Sequence, residues 1–153
     1  MNDIVMQASA VSIGGRALLI EGPPGSGKSS LALALVDRGA GLIGDDAVTL
    51  ARTGEALIAS PPPRIDGLME VRGVGLVRLP AAPPAPVALI LTLGGPAPAR
   101  LPETPLPMRV IAGVAVPVLA FDPGTIAPGP RAEWALREHG LAFTAACRQD
   151  GAP

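Results

Sequence analysis

The chain has 153 residues, enough for one domain around one core, and a formal net charge of −1 with no basic stripe, which argues against nucleic-acid binding. Cys147 is the sole cysteine, so no internal disulfide can form and a reducing, cytoplasmic setting is expected. No basic stretch leads into an apolar run at the N-terminus, so no signal peptide is expected, and the longest apolar run, Val87 to Leu93, is too short to span a membrane.

Gly and Pro number 19 each, a level seen in disordered chains, yet 48% of the residues are hydrophobic, which favours a folded domain. Arginine occurs eleven times and lysine once, at Lys28. A chain that uses Arg elsewhere and Lys there marks a position where a compact ammonium is required.

In chain order, Ser9 to Ile13 and Arg16 to Ile20 are short apolar runs joined by Gly14-Gly15, the pattern of a hairpin. A glycine-rich segment follows, and then Lys28 to Arg38 carries Leu31, Ala34 and Leu35 at helical spacing and stops at Gly39. Gly41 to Gly44 is a short strand leading into Asp45-Asp46. Val48 to Ala51 and Ala56 to Ala59 form a second hairpin around Gly54. Ser60 to Arg64 holds three prolines and is a loop. Leu68 to Leu79 contains a run rich in glycine, and Pro80 to Pro86 is a surface connection. Val87 to Leu93 is a strand buried on both faces. Gly94 to Pro107 is Pro-rich and expected to be mobile. Arg109 to Ile111 and Val114 to Leu119 make a third hairpin around Ala112-Gly113. Arg131 to Arg148 is expected as a helix interrupted or bent near Gly140, with Trp134 in core or interface packing and His139 at the surface or a helix end. The hairpins point to an α/β fold with a mixed rather than a purely parallel sheet.

The segment Gly22-Pro23-Pro24-Gly25-Ser26-Gly27-Lys28-Ser29 meets the spacing Gly-x-x-x-x-Gly-Lys-Ser, with a strand before it and a helix after it, the context a phosphate-binding loop requires. Gly22, Gly25 and Gly27 let successive N–H groups, including that of Ser26, converge on phosphate oxygens. The helix N-terminus, with Ser30 in its first turn, favours negative charge. Lys28 would reach the β- and γ-phosphates, and Ser29 would offer its hydroxyl to Mg²⁺. A nucleoside triphosphate is the ligand this implies. Phosphoryl transfer also needs a carboxylate. The long strand ends in Gly94-Gly95 with no acid, so Asp45-Asp46 are the best candidates, against the alternative of a solvated turn. No side chain is singled out for stacking on the base.

Taken together, these segments resemble the catalytic domain of the HPr kinase/phosphorylase family. The phosphate loop is followed by Arg38-Gly39-Ala40-Gly41-Leu42-Ile43-Gly44-Asp45-Asp46-Ala47-Val48, which is similar to the family's "RG…DDAV" segment. Met69-Glu70-Val71-Arg72-Gly73-Val74-Gly75-Leu76 is similar to its signature "LEIRGLGI". The resemblance covers about residues 5 to 125 and points to the short, single-domain alphaproteobacterial type, one catalytic domain over residues 1 to 153. It implies a P-loop-containing, phosphoenolpyruvate-carboxykinase-like mixed sheet with flanking helices, and a homo-hexamer. It also implies an ATP- and Mg²⁺-dependent serine kinase acting on the phosphocarrier protein HPr, with phosphorylase activity in bifunctional members, regulating the phosphotransferase system. By the same resemblance Asp45 is the base, Asp46 helps to hold Mg²⁺ or orients Asp45, and Glu70 and Arg72 line the centre, Glu70 toward the metal. The chain departs from the family pattern at Gln7, where a histidine is usual, and at Ser30, where an acid is usual. Two rivals stay open: a P-loop kinase of a small metabolite, and an ATP-binding sensor module that transfers nothing.

Overall fold

The computed structural model describes residues 3–63 and 67–143. Asp66, Cys147 and the stretch 144–148 of the expected C-terminal helix lie outside the described residues. The strands are β1 (Ile4–Met6), β2 (Ser9–Ile13), β3 (Arg16–Glu21), β4 (Gly41–Gly44), β5 (Val48–Thr53), β6 (Ala56–Ser60), β7 (Leu68–Val71), β8 (Gly75–Arg78), β9 (Ala85–Thr92), β10 (Met108–Ile111) and β11 (Val114–Ala120). The helices are α1 (Lys28–Asp37) and α2 (Pro128–His139).

Nine strands form one mixed sheet with the order β1-β5-β6-β9-β3-β2-β4, and β11 joins it through β9 while pairing with β10. The long apolar run explains the branching. Buried along nearly its whole length, β9 is bordered by β3 in parallel on one side. On the other side β6 takes its start, with Ile58 opposite Pro86, and β11 takes its end in parallel, with Val118 opposite Ile90. The expected hairpins are present as β2–β3, β5–β6 and β10–β11. The glycine-rich run at 68–79 adds a fourth, β7–β8, as a separate two-stranded sheet.

Alternation along β3 divides the core in two. Leu18 and Ile20 pack with Leu31 and Leu35 of α1 and with Ala132 and Leu136 of α2. Ala17 and Leu19 face the other way, toward Leu50, Leu57, Val114 and Val116. A strand with apolar residues on both faces needs cover on both. The helices provide it on one side, and the hairpins curl round to provide it on the other.

Two expectations are corrected. α2 starts at Pro128 rather than Arg131, because proline suits the first turn, where its missing N–H is no loss. It ends at His139, since Gly140 leaves helical geometry and Leu141 donates its N–H to the Ala88 carbonyl of β9. Of the two placements expected for Trp134, core packing is excluded: it is 56% exposed, with the Arg137 guanidinium over its ring. The short edge strand β1 has no counterpart in the sequence reading. It pairs with β5 and leaves Val5 exposed.

Candidate functional site

The carboxyl ends of β3 and β4, the start of α1 and the β7–β8 hairpin surround a cleft of about 680 Å³. Among its lining residues are Gly25, Gly27, Lys28, Ser29 and Ser30 from the loop and helix, Asp45 and Asp46 from the turn after β4, and Glu70 and Arg72 from the hairpin. Residues as far apart in sequence as Pro24 and Gly75 thus share one space. Gly22 and Ser26 are not in that lining.

Gly27 caps α1 in the left-handed region (φ 101°), with no side chain closing the helix end and no acid in the first turn. The first N–H groups of α1 are therefore left to an external acceptor, the physical condition for anion binding. Behind the loop the fit is close. A Cβ on Gly22 would lie 2.6 Å from Ser26 Oγ and 2.7 Å from the Leu93 carbonyl oxygen, so only glycine lets the loop seat against β9. Lys28 Nζ donates to the Gly22 carbonyl at 2.7 Å, bridging the two ends of the loop.

Asp45 is half-buried and its Oδ1 accepts from Ser29 Oγ at 2.7 Å and from Ser9 Oγ at 3.0 Å. The phosphate loop and the acidic turn are thereby joined directly. Ser9, on β2 between them, is fully buried, and it is the one buried polar or charged residue among those described. Asp46 is exposed and takes a left-handed conformation (φ 65°) in the turn after β4, and it lines the same cleft as Asp45.

Sequence reasoning passed over Ser9, which looks like an ordinary strand serine; only its full burial shows that its hydroxyl needs an internal partner. It also passed over the pair at the root of the loop. Glu21, the last residue of β3, accepts two hydrogen bonds from Arg109 of β10, Nη1 to Oε1 at 2.6 Å and Nη2 to Oε2 at 2.7 Å. The hydrogen bond to Glu21 raises the Arg109 pKa above its ordinary value, against a smaller opposing effect of burial. The pair ties the third hairpin to the strand that feeds the loop.

The sequence model of the HPr Serine kinase C-terminal domain matches residues 2–82. An HPr kinase/phosphorylase of Chlorobium chlorochromatii is 45% identical over 75 residues, 48% of this chain and 22% of that protein. One of Bordetella pertussis is 50% identical over 64 residues, 41% of this chain and 21% of that protein. The matched stretch thus spans about a fifth of these relatives. Among solved structures, the HPr(Ser) kinase/phosphatase from Coxiella burnetii superposes with a TM-score of 0.75 at 27% identity, covering 88% of this chain and 95% of that one.

Proposed function

The chain belongs to the HPr Serine kinase C-terminal domain family, and on that premise we propose that it is a kinase that transfers the γ-phosphoryl group of ATP to a serine of the phosphocarrier protein HPr. The observation that carries this reading is the Ser29–Asp45 hydrogen bond, which couples the phosphate loop to a carboxylate across the cleft that also holds Lys28.

The hydrogen-bond pattern supports a division of labour between the two aspartates that reverses the sequence expectation. Asp45 Oδ1 is already engaged by two hydroxyl donors, which occupy that oxygen and tie it to Ser29 on the loop side. While Ser29 donates its hydrogen to Asp45, its oxygen lone pairs remain available to a cation, so Ser29 and Asp45 suit the metal side. Asp46, exposed at the cleft, would meet an incoming hydroxyl and take its proton. The serine oxygen would then attack the γ-phosphorus as ADP leaves. Lys28 and the N–H groups of α1 would stabilise the charge on the transferring group. Arg72 and Glu70, both exposed on the hairpin facing the loop, would orient the acceptor segment and the metal's waters respectively.

Mg²⁺ fits this donor set. Hydroxyl and carboxylate oxygens suit a hard cation. Among the described residues no three His, Cys, Asp or Glu side chains are grouped to hold a metal. That agrees with an ion that arrives with the nucleotide and is held by one or two protein oxygens plus phosphates. When bound, Mg²⁺ would neutralise charge on the β- and γ-phosphates.

A second reading, a nucleotide sensor that transfers nothing, is favoured by Gln7, exposed between β1 and β2, which cannot change protonation as a histidine would. The same residue weighs against the reverse, phosphorolytic reaction. A homo-hexamer and a single catalytic unit over the chain complete the proposal, and sizing by light scattering tests the assembly. The functional test incubates the protein with γ-labelled ATP, Mg²⁺ and purified HPr. Label on an HPr serine, lost in Lys28→Ala and Asp46→Asn, supports the kinase. ATP binding with no label on HPr supports the sensor.

A further inference from the structure

On the side of the phosphate loop away from the acidic turn lies a second groove, of about 1080 Å³, between the Pro-rich segment after β9, the loop after β11 and α2. The sheet order explains its place. β3, β9 and β11 run parallel and adjacent, so their carboxyl ends open together. Ligands of such sheets lie in the crevice at those ends. Asp45 follows β4, two strands beyond β3 in the other direction. A triphosphate with its γ-end at Asp45 and Asp46 therefore extends toward β9 and β11. The loop after β11 comes close to the phosphate loop: a Cβ on Gly27 would lie 3.5 Å from Pro123 Cγ, and the Pro123 carbonyl is one that Arg131 holds.

One side chain in this groove is built as a platform. Arg131, in the first turn of α2, places its guanidinium carbon 4.9 Å from the centre of the Phe121 ring. Its Nε donates to the Ile126 carbonyl at 2.9 Å, and its Nη2 donates to the carbonyls of Asp122 at 2.9 Å and Pro123 at 2.5 Å. A long side chain that would ordinarily move freely is fixed by these bonds, with Phe121 buried against it. Arg131 is nonetheless exposed and lines the groove. A guanidinium held flat in this way offers a stacking surface for a planar ring. Trp134 lines the same groove, three residues on and so on the same face of the helix.

We infer that this groove receives the base of the nucleoside triphosphate whose phosphates occupy the loop, with the base stacked on the Arg131 guanidinium. The inference rests on the nucleotide reading above and deepens it by naming where the other end of the ligand lies. Stacking accepts any ring, so the platform favours purines by area and discriminates little between adenine and guanine.

Inorganic tripolyphosphate separates the two ends of the ligand, because it has the phosphates and lacks the base. Calorimetric titration of the full chain with Mg-ATP and with Mg-tripolyphosphate gives both affinities. The emission of Trp134, the single tryptophan, reports on the groove. ATP is expected to quench that emission and tripolyphosphate to leave it unchanged. Arg131→Ala is expected to weaken ATP about tenfold while tripolyphosphate stays within about twofold. Arg131→Lys keeps the charge and loses the plane, so it should lose ATP affinity as well; it also serves if the alanine variant fails to fold. The inference is overturned if Arg131→Lys binds ATP as the parent does, if both ligands weaken in parallel, or if ATP leaves Trp134 emission unchanged. Failure of the parent protein to bind either ligand would instead remove the nucleotide reading, and this one with it.

Discussion

Replacing Ser9 by alanine removes one oxygen from the interior and frees one lone pair of Asp45. The lost hydrogen bond runs 3.0 Å to a carboxylate from a hydroxyl with no solvent exposure. Hydrogen bonds to charged groups contribute about 1.5–3 kcal/mol. Asp45 keeps its 2.7 Å bond from Ser29 and is half-buried, so water can satisfy part of the loss and the low end, about 1.5 kcal/mol, applies. For a chain of this length that corresponds to a fall of roughly 3–6 °C in Tm, readable by calorimetry. The functional consequence is more specific. With one tether gone, Asp45 samples more orientations on the metal side, so the Mg²⁺ concentration giving half-maximal activity should rise several-fold. At saturating Mg²⁺ kcat should recover, and Ser9→Thr, which keeps the hydroxyl, should show a smaller shift in Mg²⁺ dependence than Ser9→Ala. Unchanged Tm together with unchanged Mg²⁺ dependence in Ser9→Ala would refute the reasoning. A fall in kcat that saturating Mg²⁺ does not restore would show that Ser9 acts otherwise.

The proposed division between the aspartates predicts distinct kinetics. Asp46→Asn should lower kcat by about 10²–10⁴ with ATP affinity retained, as loss of a general base requires, whereas Asp45→Asn should mainly weaken the Mg²⁺ requirement's apparent affinity. Gly22→Ala should destabilise the fold and abolish ATP binding, because its Cβ meets the Leu93 carbonyl oxygen, which is backbone and cannot rotate away; circular dichroism melts and calorimetry check both. Arg109→Ala should cost about 1–2 kcal/mol, since the pair is bidentate but the guanidinium is 39% exposed; Glu21→Gln combined with it should cost less than the sum of the two single changes in a thermal-melt cycle.

The parts of this molecule that could be read from sequence are those governed by local rules. The phosphate loop announces itself because glycine spacing, a preceding strand and a following helix all fall within residues 16–38. The β2–β3, β5–β6 and β10–β11 hairpins follow from alternating runs around glycine turns. What escaped reading depends on contacts far apart in the chain. The Ser9–Asp45 bond spans 36 positions and the Glu21–Arg109 pair spans 88. The left-handed backbone of Asp46, which sets the shape of the acidic turn, is a conformation that no neighbouring residue type dictates. The last helix starts three residues earlier than read, at Pro128, and the interruption expected near Gly140 is the point where the chain leaves the helix and Leu141 donates its N–H to Ala88. No stacking residue could be named beforehand, since the surface proposed for the base is an arginine fixed by three loop carbonyls rather than an aromatic ring.

Transfer of label from γ-labelled ATP to HPr, followed by mapping of the labelled residue, addresses the kinase directly. Phosphoserine on HPr that depends on Mg²⁺, disappears in Lys28→Ala and falls at least a hundredfold in Asp46→Asn is the expected result. ATP bound at the loop with HPr left unlabelled, or labelling that survives Lys28→Ala, would contradict it.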